Sequence, residues 1–318
     1  HTNHRCDAQS NQCIFDTVTV AVDGDGCCPD AVVSADDVDC VAVDYSGVVQ
    51  HTFDEPWPED NIRDEWTFET RGVSLYGGAV GLDIGYDYSC ASYSSSVGRT
   101  DPGAIHFKMD ALASTPGAPR KYNHRCEASV GQWNDYSEGP GTEKWIGFSI
   151  YVPPSWVPDP ACTESILQIH AGGCTPAFLS SIDGDEMKFR IKVGCGCNGE
   201  YTTHYDTLTK VEADKWYDVV YQIRGADSTN PDFGLLRIWV DDEVVYDRPG
   251  PNLYECPEDQ PFATYIGIVK IGLYKWDWKT ESVAEASIAA GADTREYYYD
   301  NLRIYVGPDG FDKVDPSR

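Results

Sequence analysis

Val269-Lys270-Ile271-Gly272-Leu273-Tyr274-Lys275-Trp276 alternates apolar with polar or small side chains. In an extended strand successive side chains point to opposite faces. Ile271 and Leu273 therefore share a face that can pack, while Lys270, Gly272 and Tyr274 share the other. A strand buried on both sides has no use for an ammonium and a phenol flanking a glycine, so the second face reads as wet and used. Met187-Lys188-Phe189-Arg190-Ile191-Lys192-Val193 repeats the pattern, with Lys188, Arg190 and Lys192 opposite four apolar residues.

Working outward from these stretches, short alternating runs follow one another between Gly, Pro, Asp and Asn. The clearest predicted strands are 68–75, 103–109, 122–130, 145–152, 165–170, 187–193, 216–224, 235–240, 265–276 and 297–306. Val, Thr, Tyr and Trp are plentiful, Met is scarce, and few amphipathic helices are evident. This predicts an all-β protein, an antiparallel sandwich or jelly roll. No linker or repeat divides residues 46–318, which read as one domain. Residues 1–45 read as a small module rich in Cys and Asp.

The chain has 318 residues, twelve cysteines and a formal net charge of -28. Cysteine usage of this kind predicts disulfides, hence an oxidising compartment and secretion. Five cysteines precede residue 45 and seven follow it, so complete pairing would require a bridge between module and body. The acidic charge argues against nucleic-acid partners, which need a basic surface. No run of about 18 apolar residues occurs, so no membrane span is expected. The first residue is His1 rather than Met, and a processed N-terminus is the expectation. A monomer is expected.

Three strand stretches carry chemistry. In 122–129, Asn123, Arg125 and Glu127 share one face with Ser129, and His124 lies on the other with Cys126. In 165–170, Gln168 and His170 stand together opposite Leu167 and Ile169. The third is Lys270 to Tyr274. Arg, Gln and a donating His suit stabilisation of the dianion formed when a proton leaves the carbon next to a carboxylate. A Tyr or His suits moving that proton and protonating a leaving oxygen. The substrate this implies is a uronic-acid polymer, and the product an unsaturated sugar. Lys188, Arg190 and Lys192 would supply the positive field that a polyanion requires.

Arg125-Cys126-Glu127, Gln168-Ile169-His170 and Lys270-Ile271-Gly272-Leu273-Tyr274, in that order, resemble the three signature strands of the jelly-roll polysaccharide lyases, the group of alginate, glucuronan, heparin-lyase-I-like and ulvan lyases. Residues 144–153, 215–218, 239–241 and 299–304 resemble scaffold strands of the same group. The resemblance implies a concanavalin A-like jelly roll of two antiparallel sheets with a groove on the concave face. It also implies β-elimination needing no cofactor. It would make Gln168 and Arg125 neutralisers of the carboxylate, His170 a base or neutraliser, Tyr274 the acid and base, and His124 a reserve candidate. Lys270 would orient substrate, with Asn123, Glu127 and the basic stripe binding it. Ser129 stands where alginate lyases usually carry a further Arg, and Trp276 where they usually carry Gln. These departures favour a glucuronate-type polymer, ulvan or glucuronan, over alginate.

Trp276, with Trp133 and Trp278, is a candidate for stacking on sugar rings. Asp23 and Asp25, among tight glycine turns, and Asp300 near the last strand are candidate ligands of a structural Ca²⁺. Two rival functions remain at this level: a non-catalytic carbohydrate-binding module, and a glycoside hydrolase. The hydrolase needs two carboxyl groups flanking the bond, and the strands above offer amide, imidazole, cation and phenol instead.

Overall fold

The structure, a computed structural model, describes residues 2–7, 12–17, 48–51, 66–70, 73–74, 90–100, 102–111, 124–130, 139–170, 175–195, 200–253, 255 and 266–318. Only the backbone is described at 2–7, 12–17, 49–51, 66–70, 73–74, 129–130, His170, Cys195, Glu200 and Ile268. Asn123, Asp23, Asp25 and Trp133 lie outside the described residues.

The chain forms two compact units, His1–Ser46 and Gly47–Arg318. In the first, strands β1 (Thr2–Asp7) and β2 (Gln12–Thr17) pair antiparallel, with Cys6 opposite Cys13. The second carries β3 (Val48–His51), β4 (Trp66–Thr70), β5 (Val73–Ser74), β6 (Ala91–Ser94), β7 (Ala104–Asp110), β8 (His124–Val130), β9 (Glu143–Val152) and β10 (Asp159–His170). It continues with β11 (Phe178–Gly184), β12 (Glu186–Cys195), β13 (Glu200–Lys210), β14 (Lys215–Arg224), β15 (Leu235–Val240), β16 (Glu243–Pro249), β17 (Ile268–Lys275) and β18 (Thr294–Val306). Among the described residues it also has two α-helices, α1 (Glu281–Ala289) and α2 (Phe311–Val314).

These strands build a jelly-roll sandwich of two antiparallel sheets. Sheet I runs β16-β15-β14-β9-β18-β7-β6, with β3 also paired to β18, and sheet II runs β13-β12-β11-β10-β17-β8-β4-β5. The alternation read from sequence becomes the packing. Ile271 and Leu273 of β17, Leu167 and Ile169 of β10 and Phe189 and Ile191 of β12 point inward from sheet II. They meet Phe107, Phe148, Ile150, Val219, Tyr221, Ile238 and Tyr299 of sheet I. Burial of each such side chain stabilises the fold by about 1.5–3 kcal/mol. Cys126 on β8 is joined to Cys90.

Two of the strands that the alternation does not single out are instructive. In β11, Leu179 and Ser181 on the outer side are buried along with Phe178, Ser180 and Ile182, and a strand covered on both faces loses its binary pattern. In β13, an edge strand, the run Tyr-Thr-Thr-His-Tyr-Asp-Thr has little apolar surface to declare. Strand β17 ends at Lys275, and Trp276 opens a 3₁₀ turn over Trp276–Lys279.

Candidate active site

Strand β17 lies inside sheet II, between β10 and β8. Its register puts Lys270 opposite Ser129, Gly272 opposite Glu127 and Tyr274 opposite Arg125 on β8. On β10 it puts Lys270 opposite Gln168 and Tyr274 opposite Ser165. Arg125, Glu127, Gln168, Lys270 and Tyr274 therefore share the face of sheet II turned away from the core. His170 sits at the end of β10, opposite Ile268, two residues from Gln168.

The contacts within this group are specific. The Arg125 guanidinium lies 4.1 Å above the centre of the Tyr274 ring, and Arg125 Nε is 3.1 Å from Glu127 Oε2. Gln168 Nε2 donates to Glu127 Oε1. Glu127 is thus held between a cation and an amide, and at 1% exposure it acts as an internal brace that orients both. Gln168 and Lys270 are each 2% exposed. A face this enclosed strengthens electrostatic interactions with whatever enters it. The Trp276 ring stands edge-on to Tyr274 at 5.7 Å and is half-buried.

Gly272 has a backbone as well as a steric role. The β10–β17 register shifts between Ser165 and Leu167, so Ile166 opposes both Gly272 and Leu273. At this bulge Gly272 adopts φ +130, and a Cβ there would come 2.3 Å from the Cys126 carbonyl oxygen. Both conditions require glycine. The bulge leaves two carbonyls to satisfy, and Tyr299 of sheet I reaches them through the core. Its hydroxyl lies 2.8 Å from Ile166 O and 3.0 Å from Gly272 O. Gln168 and Lys270 lie on one side of this bulge, Tyr274 on the other.

Behind Tyr274, on the core side, is a buried ionic cluster that sequence reasoning did not identify. Lys275 donates to Asp159 Oδ2 at 2.8 Å and to the Cys162 carbonyl at 2.9 Å, and lies 3.5 Å from Glu164 Oε2. Arg295 donates to Glu164 through Nε at 2.7 Å and also through Nη2, and Tyr297 donates to Glu164 Oε1. Burial alone would raise the Glu164 carboxyl, but attraction to Arg295 and Lys275 and these hydrogen bonds outweigh it and hold it at about 2. The only sequence signal was Lys275, a cation at a position whose strand parity points inward; Glu164 shares the parity of Gln168 and is turned to the core by the irregularity of β10 between Ser165 and Leu167.

The remaining expected residues fall as follows. His124 lies opposite Lys275, on the face away from Tyr274, with its ring edge-on to Trp278 at 5.7 Å. Trp278 is fully buried and donates to Ser287 Oγ at 2.9 Å, so it is core packing and not a sugar platform. Lys188 lies in one cross-sheet row with Tyr274, through Ser181 and Ser165. Its ammonium is taken up by Asp183 at 2.8 Å and Glu186 at 3.1 Å. Arg190 stands in the row of Gln168 and Lys270, with Leu179 between. Lys192 is nearly buried, 4.0 Å from the Tyr201 ring centre.

The Asp300 carboxylate accepts the backbone N–H groups of Arg99 and Asn301, both at 2.7 Å, beside the irregularity in β18 where Asn301 has φ +50. Among the described residues no three His, Cys, Asp or Glu side chains converge as a metal site. Among the described residues, too, no helix is long and apolar enough to cross a membrane.

The fold resembles several solved lyases. The endo-β-1,4-glucuronan lyase of the fungus Trichoderma reesei aligns over 80% of this chain and 99% of its own, at 19% identity and a TM-score of 0.56. A family 7 alginate lyase in complex with product aligns over 78% and 99%, at 10% identity and a TM-score of 0.47. The alginate lyase AlgAT5 aligns over 78% and 96%, at 13% identity and a TM-score of 0.47. At 19% identity the likeness to the glucuronan lyase is one of fold. No curated protein sequence matches the chain. The family model described as Polysaccharide lyase matches residues 88–303, a span that includes β8, β10 and β17 and all the side chains grouped around Tyr274. The chain therefore belongs to the polysaccharide lyase family.

Proposed function

We propose that this polysaccharide lyase cleaves an anionic, uronic-acid-containing polysaccharide by β-elimination, with a glucuronate-type polymer, glucuronan or ulvan, preferred over alginate. The observation that carries the reading is the grouping of Arg125, Gln168, Lys270 and Tyr274 on one enclosed face of sheet II, braced by Glu127. In the proposed cycle, Arg125 and Gln168, with His170, neutralise the substrate carboxylate and stabilise the dianion formed at it. The C5–H bond breaks, with its proton passing to the oxygen of Tyr274, which acts in its phenolate form. Arg125 then places a fixed positive charge beside the ring whose oxygen carries that proton. The electron pair forms the C4=C5 bond, the C4–O4 bond breaks, and O4 takes a proton from Tyr274. No water is consumed. Every donor and acceptor in this cycle is a side chain of the protein, so the chemistry runs without a cofactor, and any bound Ca²⁺ would be structural.

Lys270 orients the substrate in this scheme, and Arg190 and Lys192 extend the positive field along it. Trp276, beside Tyr274, offers a ring to a neighbouring sugar. The Trichoderma reesei protein of the same fold is by name a glucuronan lyase, and that polymer is the first to test. The Cys90–Cys126 disulfide fits an oxidising compartment and a secreted protein. Incubation with pure glucuronan, ulvan and alginate, followed by the ultraviolet absorbance of the 4,5-unsaturated uronate, tests the assignment. Glucuronan or ulvan should give the faster rise. Tyr274→Phe should abolish most turnover while leaving polymer affinity nearly intact; a variant with wild-type turnover refutes the role of the phenol.

A further inference from the structure

One large aromatic side chain in the described part of sheet II has no packing explanation. Tyr205 of β13 is 70% exposed. A singly exposed aromatic is ordinary, but this one is placed. It stands directly opposite Arg190, which stands opposite Leu179, which stands opposite Gln168, which stands opposite Lys270. These five residues form one straight row across sheet II, on the face that carries the proposed chemistry. With neighbouring strands about 4.8 Å apart, Arg190 lies roughly 14 Å and Tyr205 roughly 19 Å from Lys270 along the row. On the same face β13 presents Tyr201, Thr203 and Thr207, and none of these positions carries a carboxylate. Tyr201 closes over Lys192 at 4.0 Å.

We propose that Tyr205 and Arg190 form a distal subsite for a uronate sugar several units from the bond that is cleaved, with Tyr201 and Lys192 as its second wall. The Tyr205 ring stacks on the CH face of the sugar, and Arg190 pairs with its carboxylate. In a protein of net charge -28, the cations Arg190 and Lys192 at this end of the row favour a polyanionic chain long enough to reach them. The subsite rests on the polyuronate reading above and adds to it a preference for long chains and attack within the polymer.

The test compares Tyr205→Ala and Tyr205→Phe with the wild type on long-chain glucuronan and on a glucuronan trimer, which is too short to bridge Lys270 and Tyr205. The ratio of kcat/KM on polymer to kcat/KM on trimer should fall about tenfold in Tyr205→Ala and stay near wild type in Tyr205→Phe, because the ring and not the hydroxyl makes the contact. Polymer affinity, measured by calorimetry in the Tyr274→Phe background, should weaken by the same factor in Tyr205→Ala. An unchanged ratio and affinity in Tyr205→Ala, or an equal fall in Tyr205→Phe, overturns the subsite while leaving the lyase assignment standing. If the wild type forms no unsaturated product yet Tyr205→Ala loses polymer affinity, the subsite stands and the polyuronate elimination falls. Absence of both cleavage and binding overturns both.

Discussion

Replacing Glu164 by Gln removes one negative charge from a cluster that contains Lys275 and Arg295, all three side chains being at most 1% exposed. The cost can be worked from the carboxyl itself. It falls from its ordinary 4.5 to about 2 in the fold, and at about 1.4 kcal/mol per pH unit this corresponds to roughly 3 kcal/mol of folding free energy. The figure agrees with the approximately 3–5 kcal/mol lost when one partner of a buried ion pair is removed. A folded-state value below the unfolded one means that this stability is fully present above pH 4.5 and is lost as pH falls from 4.5 towards 2. At pH 3.5 roughly a third to a half of it is gone. Urea denaturation of wild type and Glu164→Gln should therefore show a gap of roughly 3 kcal/mol at pH 7, narrowing to about 2 kcal/mol at pH 3.5. The midpoint of thermal unfolding should drop by about 5–10 °C at neutral pH. A variant as stable as wild type at pH 7, or a gap that does not narrow on acidification, refutes the idea that charge pairing at Glu164 holds this end of the sandwich together.

Two further outcomes test how the site is held and how substrate is recruited. Tyr299→Phe deletes the one hydroxyl that serves both bulge carbonyls; it should cost about 1–3 kcal/mol in stability. Because Tyr274 and Gln168 lie on opposite sides of that bulge, kcat should also fall, by roughly ten- to a hundredfold, with KM nearly constant; a fall in stability alone, with wild-type kcat and pH–rate profile, would make Tyr299 merely structural. Arg190→Ala should raise KM for the polymer in a salt-dependent way, whereas Lys188→Ala should raise it less, since Asp183 and Glu186 already hold the Lys188 ammonium. Equal effects of the two substitutions would contradict this difference.

Strand identity, the sandwich class and the face assignments of Arg125, Gln168, Lys270 and Tyr274 were legible in the chain, because side-chain parity is a local property of an extended backbone and one side of each strand is apolar. Helix α1 and the strands β11 and β13 were not, since burial on both faces or exposure at an edge erases the alternation. The likeness of three short motifs to lyase strands supplied the reaction class, and the family match over residues 88–303 carries it.

What only the tertiary structure decided is adjacency and charge state. Parity gave Tyr274 a face but not Arg125 as the neighbour 4.1 Å from its ring, because strand order depends on contacts distant in sequence. The three cations of β12 look alike in sequence, yet one is paired at a hairpin end, one stands in the row of Gln168 and one is nearly buried beside Tyr201. Gly272 looked like a space on the active face, and it is also a bulge whose backbone φ and close approach to β8 admit no side chain. Lys275, polar at an inward position, is explained only by Asp159 and Glu164 of β10 and by Arg295 of the opposite sheet, which pairs with that Glu164. Local sequence sets which way a side chain points; what it meets there is set by segments that only folding brings together.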